Sequence, residues 1–258
     1  VKFKWPRHGN LHLDVEDLIR IMKIAIYSHS ILPTVDGVTR RFTQIINELV
    51  KQGHEVILFT LEEQPEGIHS SVKYFTLQHG GIPNYPGKLI GIPTLVNLHT
   101  IFSALVKERP HVIHCVSDAL SSSFGLLGKS LGIPVVTSIH TDIQTLARKI
   151  KAPTLSRIIA NWKEVSDSKL LDGCATTSSS FQAQLAAQGT LCDHVIPTAV
   201  DVQTFCPGAA SAEIRHRLTW GLGERALLAV FAGRLAPEKR LDLALRLLER
   251  WSSPRGAA

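Results

Sequence analysis

KIAIYSHSILPTVDGVTRRFTQIINELVKQGHEVILFT, residues 23–60, is the stretch that decides the fold. A strand, KIAIY, opens it at Lys23–Tyr27, and a second, buried strand, Glu55–Thr60, closes it. Between the strands, five large apolar residues recur at the spacing of one helical face: Phe42, Ile45, Ile46, Leu49 and Val50. The predicted helix runs from Val38 to Gln52, and Gly53 is placed to end it. This order predicts two parallel strands joined by a right-handed crossover.

The alternation of strands and helices continues along the chain. Further helices are predicted at Thr94–Glu108, Ala119–Leu131 and Pro153–Leu170. Further strands are predicted at Val112–Val116, Pro134–Ile139, Cys174–Thr177 and His194–Ile196. In the longest helix, Ile158 and Trp162 are assigned to the apolar side, whereas the Gly- and Pro-rich stretch His79–Pro93 is too broken for regular structure. The pattern predicts an α/β fold with a doubly wound parallel sheet over residues 22–200.

Changes in composition divide the rest of the chain. Residues 1–21 form an extension before the first strand, and residues 201–224, which include PGAAS, form a linker. Residues 225–258 begin a second domain with one strand and one helix. That helix places Leu241, Ala244, Leu245 and Leu248 on one face, which two elements cannot cover unaided. We therefore expect the second domain to be truncated in this chain.

Composition excludes several classes of function. The 258 residues are 44% hydrophobic with a formal net charge of +6, which favours phosphate-bearing partners. Only three Tyr are present and aromatic and basic residues do not interleave, so we expect no nucleic-acid partner. The four cysteines form no CxxC pair, so we predict reduced thiols in an intracellular protein, cytoplasmic or peripheral on a membrane. No Asp-x-Asp occurs, and His111 and His114 fall on opposite faces of a strand, so we predict no metal and a structural role for both histidines.

A candidate phosphate-binding corner lies near the end of the chain. The segment ALLAVFAGRLAPEK, Ala226–Lys239, reads as an apolar strand running into Gly233, followed by a helix that opens at Pro237. Glycine allows the backbone to approach an anion, and a helix N-terminus offers unpaired N–H groups. Arg234 and Lys239 supply two cations of different geometry. By themselves these residues are equally compatible with an ordinary strand-to-helix turn.

Four segments together resemble retaining GT-B glycosyltransferases of family 4. They are LPTVDGVTRR (32–41), VVTSIHTD (135–142), PTAVDVQTFCP (197–207) and the GRLAPEK corner (233–239). The layout is most similar to lipid-directed members, such as sulfoquinovosyl-diacylglycerol synthases and phosphatidylinositol mannosyltransferases. The resemblance implies a Rossmann-like N-terminal domain of a GT-B fold on the acceptor side, and a donor-binding second domain that begins near residue 225.

The resemblance also implies roles for individual residues. Gly37 faces the donor phosphate and the acceptor, and His140 lies beside the transferred sugar as the catalytic candidate. Arg234 and Lys239 contact the pyrophosphate of the nucleotide sugar without a metal. The sequence departs from the family pattern at Asp36 and Ala199, where glycines are usual, and at Arg240. From the residues alone, the alternatives are a plain loop for Gly37, a structural role for His140 and a helix cap for Asp142.

These observations predict a glycosyltransferase that moves a hexose-type sugar from a nucleoside diphosphate donor to a lipid acceptor, with retention and without a cofactor. Because the paired-glutamate element of the family would lie beyond Ala258, we expect weak donor binding and little turnover from this chain alone. The alternatives are a non-catalytic binding or assembly module and a GT-B epimerase. A nicotinamide-dependent dehydrogenase is poorly supported, since no GxGxxG follows the first strand. Lys149, Lys151 and Arg157 beside apolar helix positions suggest peripheral membrane contact, or else a solvated face.

Overall fold

The computed structural model describes residues 21–82, 85–149, 151–223, 227–233, 235 and 239–252. These residues belong to two compact units, one up to Ala199 and one from Val200 onward. Each unit is described by itself below.

The first unit is built on a seven-stranded sheet in the order β3-β2-β1-β6-β7-β8-β9, in which every neighbouring pair is parallel. The strands of this sheet are β1 Lys23–Ser28, β2 Glu55–Thr60, β3 Lys73–Thr76, β6 Val112–Val116, β7 Val135–Ile139, β8 Gly173–Thr176 and β9 His194–Val195. The helices of the unit are α1 Gly37–Lys51, α2 Leu95–Glu108, α3 Ser121–Leu131, α4 Ile143–Lys149, α5 Thr154–Leu170 and α6 Ser179–Ala187. The predicted doubly wound α/β fold is therefore confirmed.

Two apolar cores lie on opposite faces of the sheet, because successive residues of a strand point to opposite sides. Ala25 and Tyr27 of β1 belong to the core beneath α2 and α3, where Tyr27 stacks on Phe124 with ring centroids 4.9 Å apart. Ile26 belongs to the other core, where it joins Phe42 of α1. Both cores are continuous with β2 and β6, which explains why β2 is apolar from Val56 to Phe59 and why His114 alone interrupts the apolar residues of β6.

The stretch His79–Pro93 was predicted to be irregular, and this was wrong. His79–Ile82 (β4) and Tyr85–Gly91 (β5) pair as an antiparallel hairpin outside the main sheet. Its pairing depends on a partner strand and on a glycine at a close contact, which local propensity does not reveal. A Cβ on Gly91 would lie 2.4 Å from a side-chain carbon of Leu120 and 2.7 Å from the Tyr27 hydroxyl.

The apolar side of α5 faces outward. Ile158 and Trp162, which the sequence placed on that side, are 60% and 70% exposed. The buried side instead carries Glu164 and Asp167, whose carboxylates face inward. Asp167 is held there by the Ser122 hydroxyl of α3, 2.6 Å away, and by an ion pair with Lys163.

The described residues of the second unit form two further helices, α7 Ala212–Leu218 and α8 Leu241–Ser252, and a short 3-10 helix at Pro207–Ala209. The strand predicted to run into Gly233 is not formed over residues 227–233. Leu227 and Val230 are exposed, and no strand of the described residues pairs with this segment. No helix in the described ranges of either unit is long and apolar enough to cross a membrane.

Candidate functional site

The candidate site lies where β1, β6 and β7 end. Since parallel strands place their carboxyl ends at one edge of the sheet, the residues that follow them are neighbours there. His29 comes after β1, Asp118 follows β6 and His140 follows β7. The N-terminus of α1, which begins at Gly37, faces the same edge because α1 is the crossover from β1 to β2.

His140 is held by a hydrogen-bonded chain of three side chains. Its Nε2 lies 2.9 Å from the Ser138 hydroxyl, and the same hydroxyl lies 2.9 Å from Nε2 of His114. Phe42 of α1 packs edge-on against both imidazoles, with ring centroids 5.3 Å from His114 and 5.5 Å from His140. Hydrogen bonding through Nε2 leaves Nδ1 of His140 without a protein partner among the described residues, so that atom is available to a ligand.

His114 and His140 are both neutral at physiological pH. Burial, together with the nearby Arg41, His114 and His29, lowers the pKa of His140 to about 3. Burial and Arg41 likewise bring the pKa of His114 to about 4. His140 is thus suited to hydrogen-bond a hydroxyl group and is too weak a base to remove its proton at neutral pH.

His29 completes the histidine side of the site. Burial lowers its pKa, although Asp118 and Asp36 favour the protonated form. Its Nδ1 is enclosed, and no described residue hydrogen-bonds to it. Asp118 itself is engaged elsewhere, since it accepts hydrogen bonds from the Tyr27 hydroxyl and from the Leu120 amide.

The N-terminus of α1 is capped by Asp36, and its first residue, Gly37, is accessible to a ligand. Asp36 accepts a hydrogen bond of 2.8 Å from the Thr39 amide and forms an ion pair with Lys88 of the β4–β5 hairpin. Burial would raise the pKa of Asp36, but Lys88 and the Thr39 amide outweigh it and bring that pKa down to about 2. Gly37 is exposed, and the position of a Cβ there has no atom within 4 Å. A ligand can therefore approach the first turn of α1 without displacing a side chain.

Arg41 links α1 to the segment after β9. Its guanidinium donates to the Ile196 carbonyl and to the Thr198 hydroxyl, each at 3.0 Å. Burial lowers the pKa of Arg41, which nevertheless stays far above neutral. Arg41 is therefore a fixed cation close to the two neutral imidazoles.

The structure places the predicted site residues as follows. Gly37 and His140 lie at the same sheet edge, Lys239 is exposed in the second unit, and Arg234 lies outside the described residues. Asp142 caps α4, since its carboxylate accepts a hydrogen bond of 2.9 Å from the Thr145 amide. The described residues contain no group of three or more His, Cys, Asp or Glu side chains that could hold a metal ion.

Sequence reasoning missed Lys88, Ser138 and the contribution of His114. Lys88 was hidden by the prediction of an irregular segment around it. His114 was compared only with His111, whereas its partner comes from the neighbouring strand. The signal was present in the alternation of β6 and β7, because His114 and Ser138 point to the same face of the sheet.

A family model matches most of the first unit. The model of Glycosyltransferase Family 4 matches residues 35–204. The chain belongs to glycosyltransferase family 4. This match covers the N-terminus of α1, the histidine chain and the segment that Arg41 binds.

Relatives of this family 4 chain are found among bacterial enzymes. It is 30% identical over 227 residues to a GDP-mannose-dependent alpha-mannosyltransferase of Mycobacterium tuberculosis, covering 86% of this chain and 58% of that protein. An enzyme of the same description from Corynebacterium glutamicum is 24% identical over 237 residues, covering 88% of this chain and 54% of that protein. The chain thus spans a little over half the length of these relatives.

Solved structures show the same fold. HepE from Anabaena, in complex with UDP and glucose, has a TM-score of 0.60 at 13% identity, covering 89% of this chain and 58% of HepE. Sucrose-phosphate synthase from Thermosynechococcus elongatus has a TM-score of 0.53 at 19% identity, covering 76% of this chain and 52% of the synthase. The predicted resemblance to GT-B glycosyltransferases of family 4 is confirmed.

Proposed function

We propose that this chain transfers a hexose from a nucleoside diphosphate sugar to a lipid-linked acceptor, with retention of anomeric configuration. The family match over residues 35–204 supports glycosyl transfer. The relatives from Mycobacterium and Corynebacterium are described as GDP-mannose-dependent, which favours GDP-mannose as the donor.

The observation that carries the proposal is the pairing of an open helix N-terminus with a neutral histidine at one sheet edge. The α1 N-terminus at Gly37 offers unpaired N–H groups to a diphosphate. His140 presents its free Nδ1 to a hydroxyl of the sugar or of the acceptor. Arg234 and Lys239 are proposed to neutralise the charge that builds on the leaving diphosphate as the glycosidic bond breaks, in place of a metal.

Retention is supported by the state of the carboxylates around His140. An inverting displacement needs a general base that deprotonates the acceptor hydroxyl. Asp36 is paired with Lys88, Asp118 accepts from Tyr27, and Asp142 caps α4. With these carboxylates occupied and His140 weakly basic, the site favours a mechanism in which the departing phosphate oxygen takes the acceptor proton on the same face of the sugar.

Titration calorimetry with GDP and UDP tests the donor site directly. We expect Arg234→Ala and Lys239→Ala each to weaken GDP binding by about 10-fold or more, because a charge-assisted hydrogen bond contributes about 1.5–3 kcal/mol. Arg250→Ala, which removes an exposed arginine of α8, serves as the matched control and should bind GDP as the wild type does. Equal affinities in all four proteins would remove the proposed phosphate role.

Transfer itself is tested with GDP-mannose and vesicles that contain diacylglycerol. Because little turnover is expected from this chain alone, product is accumulated over a long incubation. The accumulated product should have the α-configuration of the donor, measured by proton NMR of the anomeric signal, and should be absent with His140→Ala. A β-configured product would refute retention and leave the donor site standing.

A further inference from the structure

The segment from α4 to the middle of α5 carries positive charge only. Residues 143–163 contain no Asp or Glu, whereas five cations lie in this segment: Arg148, Lys149, Lys151, Arg157 and Lys163. Of these, Arg148, Lys149 and Lys151 are exposed, and Lys163 is paired with Asp167. The next acidic residues, Glu164 and Asp167, are buried and so contribute no exposed carboxylate to this surface.

An apolar stripe runs along α5 and faces outward. It consists of Leu155, Ile158, Ile159 and Trp162, which are all more than half exposed. Their spacing of three, four and seven residues places them on one side of α5. A stripe of four large apolar side chains including a Trp is unusual on a solvated face, where polar residues are the rule.

The connectivity places this surface next to the candidate site. β7 ends at the sheet edge that carries His140, α4 follows at once, and α5 then runs back to the start of β8. The first turns of α5, which hold Leu155 and Ile158, therefore lie towards the carboxyl edge of the sheet.

We propose that α4 and the first half of α5 dock this protein on an anionic lipid bilayer, with the apolar stripe in the headgroup region and the cations against lipid phosphates. A helix with a Trp-containing apolar face and Lys or Arg beside it binds in the plane of a membrane interface. The positive charge favours an anionic bilayer over a second copy of this chain as the partner of the surface. A positively charged surface attracts anionic lipid and would repel the same surface on a second copy. The inference deepens the proposed function, because a lipid acceptor would reach His140 from the surface on which the protein rests.

Vesicle sedimentation tests the proposal without requiring turnover. We expect the chain to pellet with vesicles of two parts phosphatidylcholine and one part phosphatidylglycerol, and much less with phosphatidylcholine alone. Arg148→Gln with Lys149→Gln should lower the partition coefficient by about 30-fold at low salt, since each cation near an anionic surface contributes about fivefold. Ile158→Ser with Trp162→Ser should also reduce binding, and this loss should persist at high salt.

Matched controls come from the opposite edge of the sheet and the opposite helical layer. Tyr74→Ser removes a half-exposed ring on β3, and Lys51→Gln removes an exposed cation on α1. Both should pellet as the wild type does. All the substituted residues except Tyr74 are on helix surfaces, and circular dichroism should give wild-type spectra for every variant.

Three outcomes would overturn the proposal. They are equal pelleting with both kinds of vesicle, wild-type pelleting of the α4 and α5 variants, and a wild-type dimer in sedimentation equilibrium that Trp162→Ser converts to a monomer. The last outcome would assign the stripe to a second copy. A wild-type chain that binds GDP but pellets with neither kind of vesicle would reject the membrane surface while leaving the proposed donor site intact.

Discussion

Replacing Ser138 by alanine should remove the hydrogen bond that holds His140, the side chain on which the candidate site depends most. The Ser138 hydroxyl is the only group among the described residues that hydrogen-bonds to both His114 and His140, with both contacts at 2.9 Å. A hydroxyl has one proton to donate. If it donates to one Nε2, the other Nε2 must carry its own proton, so the two neutral rings are held in opposite tautomers.

The magnitude follows from the two hydrogen bonds. Each neutral hydrogen bond contributes about 1 kcal/mol to the free energy of unfolding, and a buried polar atom left without a partner adds about 1–3 kcal/mol. The two lost hydrogen bonds give about 2 kcal/mol, and because both imidazoles are only partly buried the unpaired nitrogens add at most about 1 kcal/mol. We therefore expect Ser138→Ala to lower the free energy of unfolding by about 2–3 kcal/mol. Thr137→Val is the matched control, because its hydroxyl makes a single bond of 3.2 Å to the Cys115 carbonyl on the other face of β7. It should lose about 1 kcal/mol.

The assay combines urea unfolding with long-range ¹⁵N–¹H NMR of the histidine rings, which distinguishes Nδ1–H from Nε2–H tautomers. At pH 7 the wild type should show one ring of each tautomer for His114 and His140. Thr137→Val should keep that pattern, and Ser138→Ala should lose it. The tautomer matters for the proposed function because it sets whether Nδ1 of His140 donates or accepts a hydrogen bond.

Two results would refute this reasoning. One is a wild-type spectrum in which both rings carry the proton on Nε2, which would mean that the hydroxyl only accepts. The other is a Ser138→Ala protein whose unfolding free energy and ring spectra match those of Thr137→Val. The first result would refute the opposite tautomers and leave the hydrogen bonds in place. The second would mean that His140 is held by packing against Phe42 rather than by the hydrogen-bonded chain.

Three further perturbations test other parts of the structure. Gly37→Ala should fold with wild-type stability, because its Cβ meets no atom within 4 Å, and it should weaken GDP binding in calorimetry. Gly128→Ala is the contrasting variant, since its Cβ would lie 2.3 Å from a side-chain carbon of Val135. It should lower the free energy of unfolding in urea by about 1–3 kcal/mol. Burial raises the pKa of Glu164 to about 7, so stability from this residue is present below its ordinary pKa of 4.5 and lost as the pH rises through 7. Glu164→Gln should therefore gain stability over the wild type at pH 8 and not at pH 4, and an equal difference at both would contradict this. The pKa of Asp36 is lowered to about 2, so its pairing with Lys88 stabilises the folded protein above pH 3.8, and this stability is lost as the pH falls through 2. Asp36→Asn should therefore reduce the dependence of stability on pH between 3.8 and 2, measured by acid unfolding followed by circular dichroism.

Local signals were sufficient for the elements of the sheet and its crossovers. Strands β2 and β6 begin and end where the sequence predicted, because both are bounded by turn signals and buried on both faces. Helix α1 also matched to within one residue at each end, since a capping Asp36 and a following Gly53 mark its limits. These features depend on neighbours in sequence, which a single chain displays directly.

Non-local features were not readable in the same way. The β4–β5 hairpin was missed because its pairing needs a partner strand. Lys88 lies in this hairpin, so its ion pair with Asp36 was missed as well. The apolar side of α5 was predicted, but the sequence did not show that this side is exposed. Spacing shows that a stripe exists, and only tertiary contacts such as those of Asp167 decide which side is buried.

The candidate site shows how these two kinds of information combine. Alternating strands and helices put Gly37 and His140 at one edge of the sheet, and this could be predicted from the sequence. The chain through Ser138 additionally depends on the register between β6 and β7, in which His114 lies opposite Val136 and two positions from Ser138 on the same face. A slip of one residue would turn Ser138 to the other face and break both hydrogen bonds. The register of two parallel strands therefore fixes the chemical state of His140, and it is specified by the packing of both apolar cores rather than by the residues of the site.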